Sequence, residues 1–143
     1  MKVALAQINP TVGDFQGNAA RILRFAREAH ARRADLAVFT ELAVMGYPPR
    51  DLVEHAGFVQ SGIEALHALA AELPLPALVG FVSRNDSGEG KPLYNSAAFI
   101  AEGRVRSVHH KSLLPTYDVF DEDRYFEPGS RPEPLRFRDR LLG

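Results

Sequence analysis

The residues of this sequence best suited to chemistry are a glutamate and a lysine that each follow an apolar strand pattern. Glu41 follows the apolar run at residues 36–39 after one residue, Thr40, and Lys111 ends the pattern that begins near Arg104. Open α/β sheets bind their ligands at the carboxyl ends of strands, which is where Glu41 is expected. A partly desolvated carboxylate there can act as a general base, and a lysine held beside it can stabilise an oxyanion. This pair of side chains is suited to acyl transfer.

Position alone also permits structural roles for both residues. Glu41 can cap the following turn or pair with an arginine, and Lys111 can be a solvated strand end. His109 and His110 precede the lysine, but adjacent strand residues point to opposite faces, and the other three histidines lack ligand spacing. A metal site is therefore not expected. The sequence contains no cysteine, which excludes disulfides and thiolate metal sites.

Hydrophobic period predicts the elements that position these residues. Continuous or alternating apolar runs indicate strands, and apolar residues at helical spacing indicate two amphipathic helices. The predicted strands lie at residues 3–8, 36–39, 77–82, 94–101 and 104–109, and the predicted helices at 18–33 and 58–73. The Pro48-Pro49 pair interrupts regular structure between them. Alternating strands and helices followed by a hairpin predict an α/β domain with helices packed against a sheet.

Composition limits the classes of function. The chain has 143 residues, of which 45% are hydrophobic and 24% charged, and its formal net charge is −1. This size fits one domain with a real core, and the charge gives no general attraction to nucleic acid or to an anionic membrane. The arginines at residues 21–33 fall at helical spacing and are interpreted as a solvated helix face. Neither a membrane span nor a signal peptide is recognised, so a cytoplasmic location is the default expectation.

Four longer blocks carry a resemblance to a known family. The opening VALAQINPTVGDFQGN is similar to that of the carbon–nitrogen hydrolases of the nitrilase superfamily. The blocks GYPPRDL at 46–52, LYNSAAFI at 93–100 and KSLLPTYDVFDEDRYFEPG at 111–129 resemble the glutaminase domain of glutamine-dependent NAD synthetases. The resemblance extends over almost the whole chain. It implies a nitrilase-like α-β-β-α sandwich, of which this chain would hold only the N-terminal portion.

The resemblance also implies roles for particular residues. Glu41 matches the general base of the family, and Lys111 matches the lysine that stabilises the oxyanion. Glu122 matches a second glutamate, which orients the lysine and the substrate. Tyr117 and Phe120 fall on the loop that lines the glutamine pocket, although both can equally be aromatic residues packed under a proline-rich loop.

The family's nucleophile is a cysteine on the strand that follows the FEPG segment, and this sequence has none. We interpret residues 136–143, RFRDRLLG, as a loop entering a new apolar strand at Leu141 and Leu142. We therefore expect residues 1–143 to be the N-terminal part of a carbon–nitrogen hydrolase (glutamine amidotransferase) domain, truncated before the nucleophile strand. A chain of this kind should be inactive alone.

The implied reaction is hydrolysis of the glutamine amide, which supplies ammonia for the ATP-dependent conversion of deamido-NAD to NAD in the full-length protein. No cofactor is expected in this segment, because ATP and Mg²⁺ would bind only in the missing synthetase domain. The resemblance also implies a homo-oligomer at full length. Two alternatives stay open. One is another amidase or carbamoylase of the nitrilase superfamily, and the other is a truncated, non-catalytic interaction module.

Overall fold

The computed structural model describes residues 1–118, 120–130 and 133–143. Strands and helices alternate in its first half, and two short hairpin strands close the chain. In chain order the elements are β1 (Val3–Ala6), α1 (Phe15–Ala31), β2 (Leu36–Phe39), a 3₁₀ helix (Arg50–Glu54), α2 (Ala56–Glu72), β3 (Ala77–Arg84), β4 (Leu93–Ala101), β5 (Arg104–His110), α3 (Glu122–Tyr125), β6 (Leu135–Phe137) and β7 (Arg140–Leu142).

The central sheet has five strands in the order β1-β2-β3-β4-β5. Strands β1, β2 and β3 pair in parallel, and β4 is antiparallel to both β3 and β5. Strand β5 therefore runs in the same direction as β1, β2 and β3. The carboxyl ends of these four strands lie at the same end of the sheet, and β4 begins at that end.

Both long helices pack against one face of the sheet. Helix α1 begins after Asp14, whose Oδ1 accepts a hydrogen bond from Gly17 N at 3.0 Å and so caps the first turn. Helix α2 ends at Glu72, just before a proline-rich segment. The apolar stripes of the two helices meet the inward-facing strand residues in one core that includes Ile22, Ala26, Val59, Leu66, Ala70, Ala37, Phe39, Val79, Phe81, Ala98 and Ile100. Successive side chains of a strand point to opposite faces, so the other residues of these strands lie on the face away from the helices.

The opposite face of the sheet is only partly covered. The β6–β7 hairpin packs Phe137 against Leu36 and Phe99, with the two phenyl rings edge to face at 5.8 Å. At the far strand β1, Leu5 is 80% exposed. Burial on this face thus decreases from the hairpin toward β1.

The predicted five strands and two helices are all present, with boundaries shifted by up to three residues at either end. One interpretation was wrong in part: Leu141 and Leu142 lie in a strand as predicted, but residues 135–137 form its antiparallel partner rather than a loop. Arg138 adopts a left-handed backbone conformation (φ 55°), which allows the tight turn. The hairpin brings Phe137 onto the sheet, so a long-range apolar contact overrides the polar local pattern.

Candidate active site

The turn after β2 fixes the position of Glu41. This turn packs directly against β3, where Val44 N of the turn donates to Gly80 O of the strand at 3.2 Å. A Cβ atom at Gly80 would stand 2.4 Å from Leu42 N and 2.6 Å from Thr40 O, so only glycine permits this approach. The main chain on both sides of Glu41 is therefore held against the neighbouring strand.

Lys111 is held in the same way at the end of β5. Its main-chain N–H donates to Asn95 O at 2.8 Å, and its carbonyl oxygen accepts from Gly129 N at 2.9 Å. A Cβ atom at Gly129 would be 2.6 Å from His110 O, which explains the glycine of the FEPG segment. The lysine backbone is thus clamped between β4 and the segment that follows α3.

The side chain of Lys111 lies between two carboxylates. Its Nζ is 2.8 Å from Glu41 Oε1 and 2.9 Å from Glu122 Oε2, with Glu122 Oε1 at 3.1 Å. The two carboxylates differ in environment, because the Glu122 side chain is 6% exposed and that of Glu41 is 42% exposed. Glu41, Lys111 and Glu122, which the sequence singled out, therefore form one hydrogen-bonded cluster, hereafter the Glu-Lys-Glu cluster.

This environment keeps Lys111 protonated. Desolvation by burial is the largest single influence and would lower the pKa of Lys111. The hydrogen bonds and negative charges of Glu41 and Glu122 together outweigh it, so the net pKa is raised. The lysine is a cation at neutral pH and has three donors to share.

Sequence reasoning did not assign roles to two residues that contact the cluster. Asn95, buried near the start of β4, donates from Nδ2 to Glu41 Oε1 at 2.5 Å and to Glu122 Oε2 at 3.3 Å. Tyr47 donates its hydroxyl to Glu122 Oε1 at 3.0 Å. Burial and this bond raise the pKa of Tyr47, so its hydroxyl remains a donor. A polar amide in a largely apolar strand was the signal available for Asn95.

The two predicted pocket aromatics contact each other, and Phe120 also contacts Tyr47, but the two differ in exposure. The Phe120 ring is 6.5 Å from that of Tyr47 and 5.7 Å from that of Tyr117, measured between centroids. Phe120 and Glu122 line a cavity of about 330 Å³. Tyr117 is 69% exposed, which does not fit a packed aromatic, whereas Phe120 is half-buried. Their contact with glutamine stays a prediction.

The two histidines before Lys111 have separate hydrogen-bond partners. Ser107 Oγ is 3.0 Å from His109 Nε2, and Ser96 Oγ is 2.9 Å from His110 Nδ1. Burial, followed by the charge of His109, lowers the pKa of His110. Within the described residues there is no group of three or more His, Asp or Glu side chains arranged to hold a metal ion.

A second cavity, of about 300 Å³, opens beside Glu41 and Lys111 on the face of the sheet away from the helices. Both Lys111 and Asn95 bind Oε1 of Glu41, and no hydrogen bond to Oε2 is made by any residue in the described ranges. One carboxylate oxygen is therefore anchored and the other is available to accept a proton. One ammonium group and two carboxylates are thus brought together, while the sequence contains no thiol.

The half-covered α/β sheet, with this cluster at the ends of its strands, has the architecture of part of a nitrilase-superfamily domain. A variant of the amidase from Nesterenkonia sp. AN1, a member of the nitrilase superfamily, superposes with a TM-score of 0.79 at 25% identity over 99% of this chain and 53% of that one. The sequence pattern of the carbon–nitrogen hydrolases matches residues 2–139. The chain belongs to the carbon–nitrogen hydrolase family.

Within this family the chain is similar to glutamine-dependent NAD⁺ synthetases. The Synechocystis sp. enzyme is 44% identical over 146 aligned positions, which include 99% of this chain and 26% of that enzyme. The structure of the Acinetobacter baumannii enzyme with ADP has a TM-score of 0.88 at 34% identity, over 97% of this chain and 26% of that one. The chain thus spans about a quarter of the length of these relatives. No helix in the described part of the chain is long and apolar enough to cross a membrane.

Proposed function

We propose that the Glu-Lys-Glu cluster is part of the glutamine-hydrolysing site of a glutamine-dependent NAD synthetase. The observation that carries this proposal is the position of Lys111 Nζ, 2.8 Å from Glu41 and 2.9 Å from Glu122. An ammonium group held by two carboxylates at a strand end is a preorganised donor for an oxyanion. The similarity to NAD synthetases over nearly the whole chain supports glutamine as the amide substrate.

In the proposed reaction each group of the cluster has one task. Glu41 Oε2 takes the proton of a cysteine thiol, and the thiolate forms a C–S bond to the side-chain carbonyl carbon of glutamine. Lys111 stabilises the negative oxygen of the tetrahedral intermediate, while Glu122 holds the lysine in place. The intermediate collapses with release of ammonia, which carries away the proton held by Glu41. Water then hydrolyses the thioester and restores the thiol.

The nucleophile in this proposal is a cysteine outside these 143 residues, and the chain is the N-terminal part of a larger hydrolase domain. Three observations support this part of the proposal. The sequence has no cysteine, the chain covers 53% of the Nesterenkonia amidase, and one sheet face is only partly covered, with Leu5 80% exposed. The chain alone would then hold Glu41, Lys111 and Glu122 in place but could not complete a turnover, because it lacks the nucleophile.

The proposal extends to the whole protein. There, ammonia from glutamine would be used with ATP, and Mg²⁺, to convert deamido-NAD to NAD in a separate synthetase domain. Full-length homo-oligomers in the cytoplasm belong to the same proposal. The similarity to whole NAD synthetases supports it, through the quarter of those enzymes that this chain matches.

A chimaera tests the proposal directly. This chain replaces the aligned quarter of the Synechocystis enzyme, and NAD formation is measured with glutamine or with ammonium as the nitrogen source. The chimaera is expected to use both. Glu41→Gln should lower the glutamine-driven kcat by about 10²- to 10⁴-fold, and Lys111→Met by about 10²- to 10³-fold, with little change in KM. Ammonium-driven synthesis should be retained in both variants.

Lys91→Met is the matched control, since Lys91 also pairs with a carboxylate, that of Asp123 at 2.7 Å, but lies outside the cluster. It should leave both nitrogen sources effective. An unsubstituted chimaera that uses ammonium but not glutamine would contradict the proposal. Equal loss of both activities in folded Glu41 and Lys111 variants would show that the cluster is structural.

A further inference from the structure

Asn95 is a buried polar residue in a strand that is otherwise largely apolar. It is 3% exposed and lies two residues after the start of β4. Because β4 is antiparallel to β3 and β5, its first residues lie at the end of the sheet where β2 and β5 finish. The topology therefore places the side chain of Asn95 between Glu41 and Lys111, which come from strands that are not adjacent to each other in the sheet.

Asn95 contacts all three members of the Glu-Lys-Glu cluster. Its Nδ2 donates to Glu41 Oε1 at 2.5 Å and to Glu122 Oε2 at 3.3 Å. Its carbonyl oxygen accepts the main-chain N–H of Lys111 at 2.8 Å. An ionised carboxylate offers no proton, so the amide must present its NH₂ group to both glutamates, and that group has two protons to give.

The neutrality of the Asn95 side chain matters as well as its two N–H donors. Two carboxylates and one ammonium leave the cluster with one excess negative charge, and the Glu122 side chain is only 6% exposed. A neutral amide adds donors to both carboxylates without competing with Lys111 as a cation. A carboxylate at the same position would add a third negative charge, and buried charges without partners are costly.

We propose that Asn95 is a positioning residue that holds Glu41 and Glu122 on either side of Lys111. It anchors Oε1 of Glu41 and so limits the rotation of the carboxylate, whose Oε2 has no hydrogen bond from the described residues. Lys111 alone does not hold the Glu41 carboxylate in one orientation, because the flexible ammonium can follow the movement of a carboxylate that is 42% exposed. The functional meaning of this arrangement rests on the proposed glutaminase site, but the arrangement itself can be measured without any activity.

The test is NMR on the purified 143-residue chain with ¹⁵N-labelled lysine and ¹³C-labelled glutamate. In the unsubstituted chain the Lys111 ammonium should show slowed proton exchange with water and couplings across hydrogen bonds to the carboxyl carbons of Glu41 and Glu122. Asn95→Leu keeps similar volume and removes both donors. It should abolish the coupling to Glu41 and speed the exchange by about tenfold or more, as expected for loss of a charge-assisted hydrogen bond.

Ser96→Ala is the matched control. Ser96 is the next residue of β4, is also buried, and bonds Ser83 and His110 rather than the cluster. This variant should lower stability to urea while leaving the Lys111 signals unchanged. If Asn95→Leu gives that same pattern, with lower stability and intact Lys111 couplings, Asn95 only packs the strand and the inference is wrong.

Asn95→Ser covers the case in which the leucine variant fails to fold. Its hydroxyl has one proton, so it can serve one carboxylate but not both. The Lys111 exchange rate should then fall between those of the unsubstituted chain and a cluster without donors, and one of the two couplings should disappear. Both couplings at full strength in Asn95→Ser would overturn the inference. None of these readouts requires glutamine hydrolysis, so the proposed function and this inference can fail separately.

Discussion

Replacing Lys111 with methionine should destabilise the 143-residue chain far more than an ordinary loss of a salt bridge. The substitution keeps the length of the side chain and removes the cation between Glu41 and Glu122. The Glu122 side chain is 6% exposed, so its charge cannot be solvated by water once its partner is gone. Removal of one member of a buried ion pair typically costs about 3–5 kcal/mol.

The environment of the cluster places the expected value at the lower end of that range. Glu122 keeps two donors in the variant, Tyr47 at 3.0 Å and Asn95 at 3.3 Å. Glu41 contributes little, because its side chain is 42% exposed and solvent screens it. We expect a loss of about 3 kcal/mol in the free energy of unfolding, which corresponds to a decrease in Tm of about 6–12 °C for a chain of this length.

The assay is urea unfolding followed by circular dichroism, with thermal unfolding as a second measurement. Lys91→Met is the control. The side chains of Lys91 and Lys111 are similarly exposed (33% and 31%), but Asp123, the partner of Lys91, is 58% exposed. That variant should lose no more than about 1 kcal/mol. Adding Glu122→Gln to Lys111→Met should recover part of the loss, because a neutral amide replaces the stranded charge. Equal losses in the two single lysine variants would refute the reasoning.

Four further predictions concern the chain as it stands. Gly80→Ala should destabilise it by about 1–3 kcal/mol through a backbone clash, whereas Gly57→Ala, where a Cβ meets nothing within 4 Å, should be neutral or stabilising; equal unfolding midpoints would contradict this. Tyr47→Phe should cost about 1.5–3 kcal/mol by removing a hydrogen bond to a charged acceptor, and an unchanged urea midpoint would count against it. The pKa of Lys111 is raised on folding, so its contribution to stability should be complete below pH 10.5, its ordinary pKa, and should be lost as the pH rises above that value. Between pH 9 and pH 12 the free energy of unfolding should therefore fall less in Lys111→Met than in the unsubstituted chain. Finally, the purified chain should release no ammonia from glutamine at any pH, and release that depends on Glu41 would overturn the assigned mechanism.

The apolar pattern by itself determined the secondary structure and the class of fold. The run at 36–39 was predicted as a buried strand, and β2 has those bounds. The predicted helices were confirmed because their apolar spacing reflects the face they bury. The start of α1 was placed three residues late, since capping by Asp14 depends on a side-chain contact that hydrophobic period does not register.

The motif blocks likewise indicated the family, which the comparison of residues 2–139 confirmed. They also singled out Glu41, Lys111 and Glu122. The structure brings both carboxylates within hydrogen-bonding distance of the Lys111 ammonium. Their catalytic roles, and those of Tyr117 and Phe120, stay predictions until the chimaera is assayed.

Only the tertiary structure decided which other side chains join the cluster. Periodicity is a local property, whereas the order and direction of strands depend on pairings between distant residues. Glu41 and Asn95 meet across 54 positions of sequence, and Tyr47 and Glu122 across 75. Asn95 reaches both carboxylates because β4 begins at the edge where β2 and β5 end. The hairpin at residues 135–142 formed for the same reason, since Phe137 finds its partner Phe99 on a strand far away in the sequence.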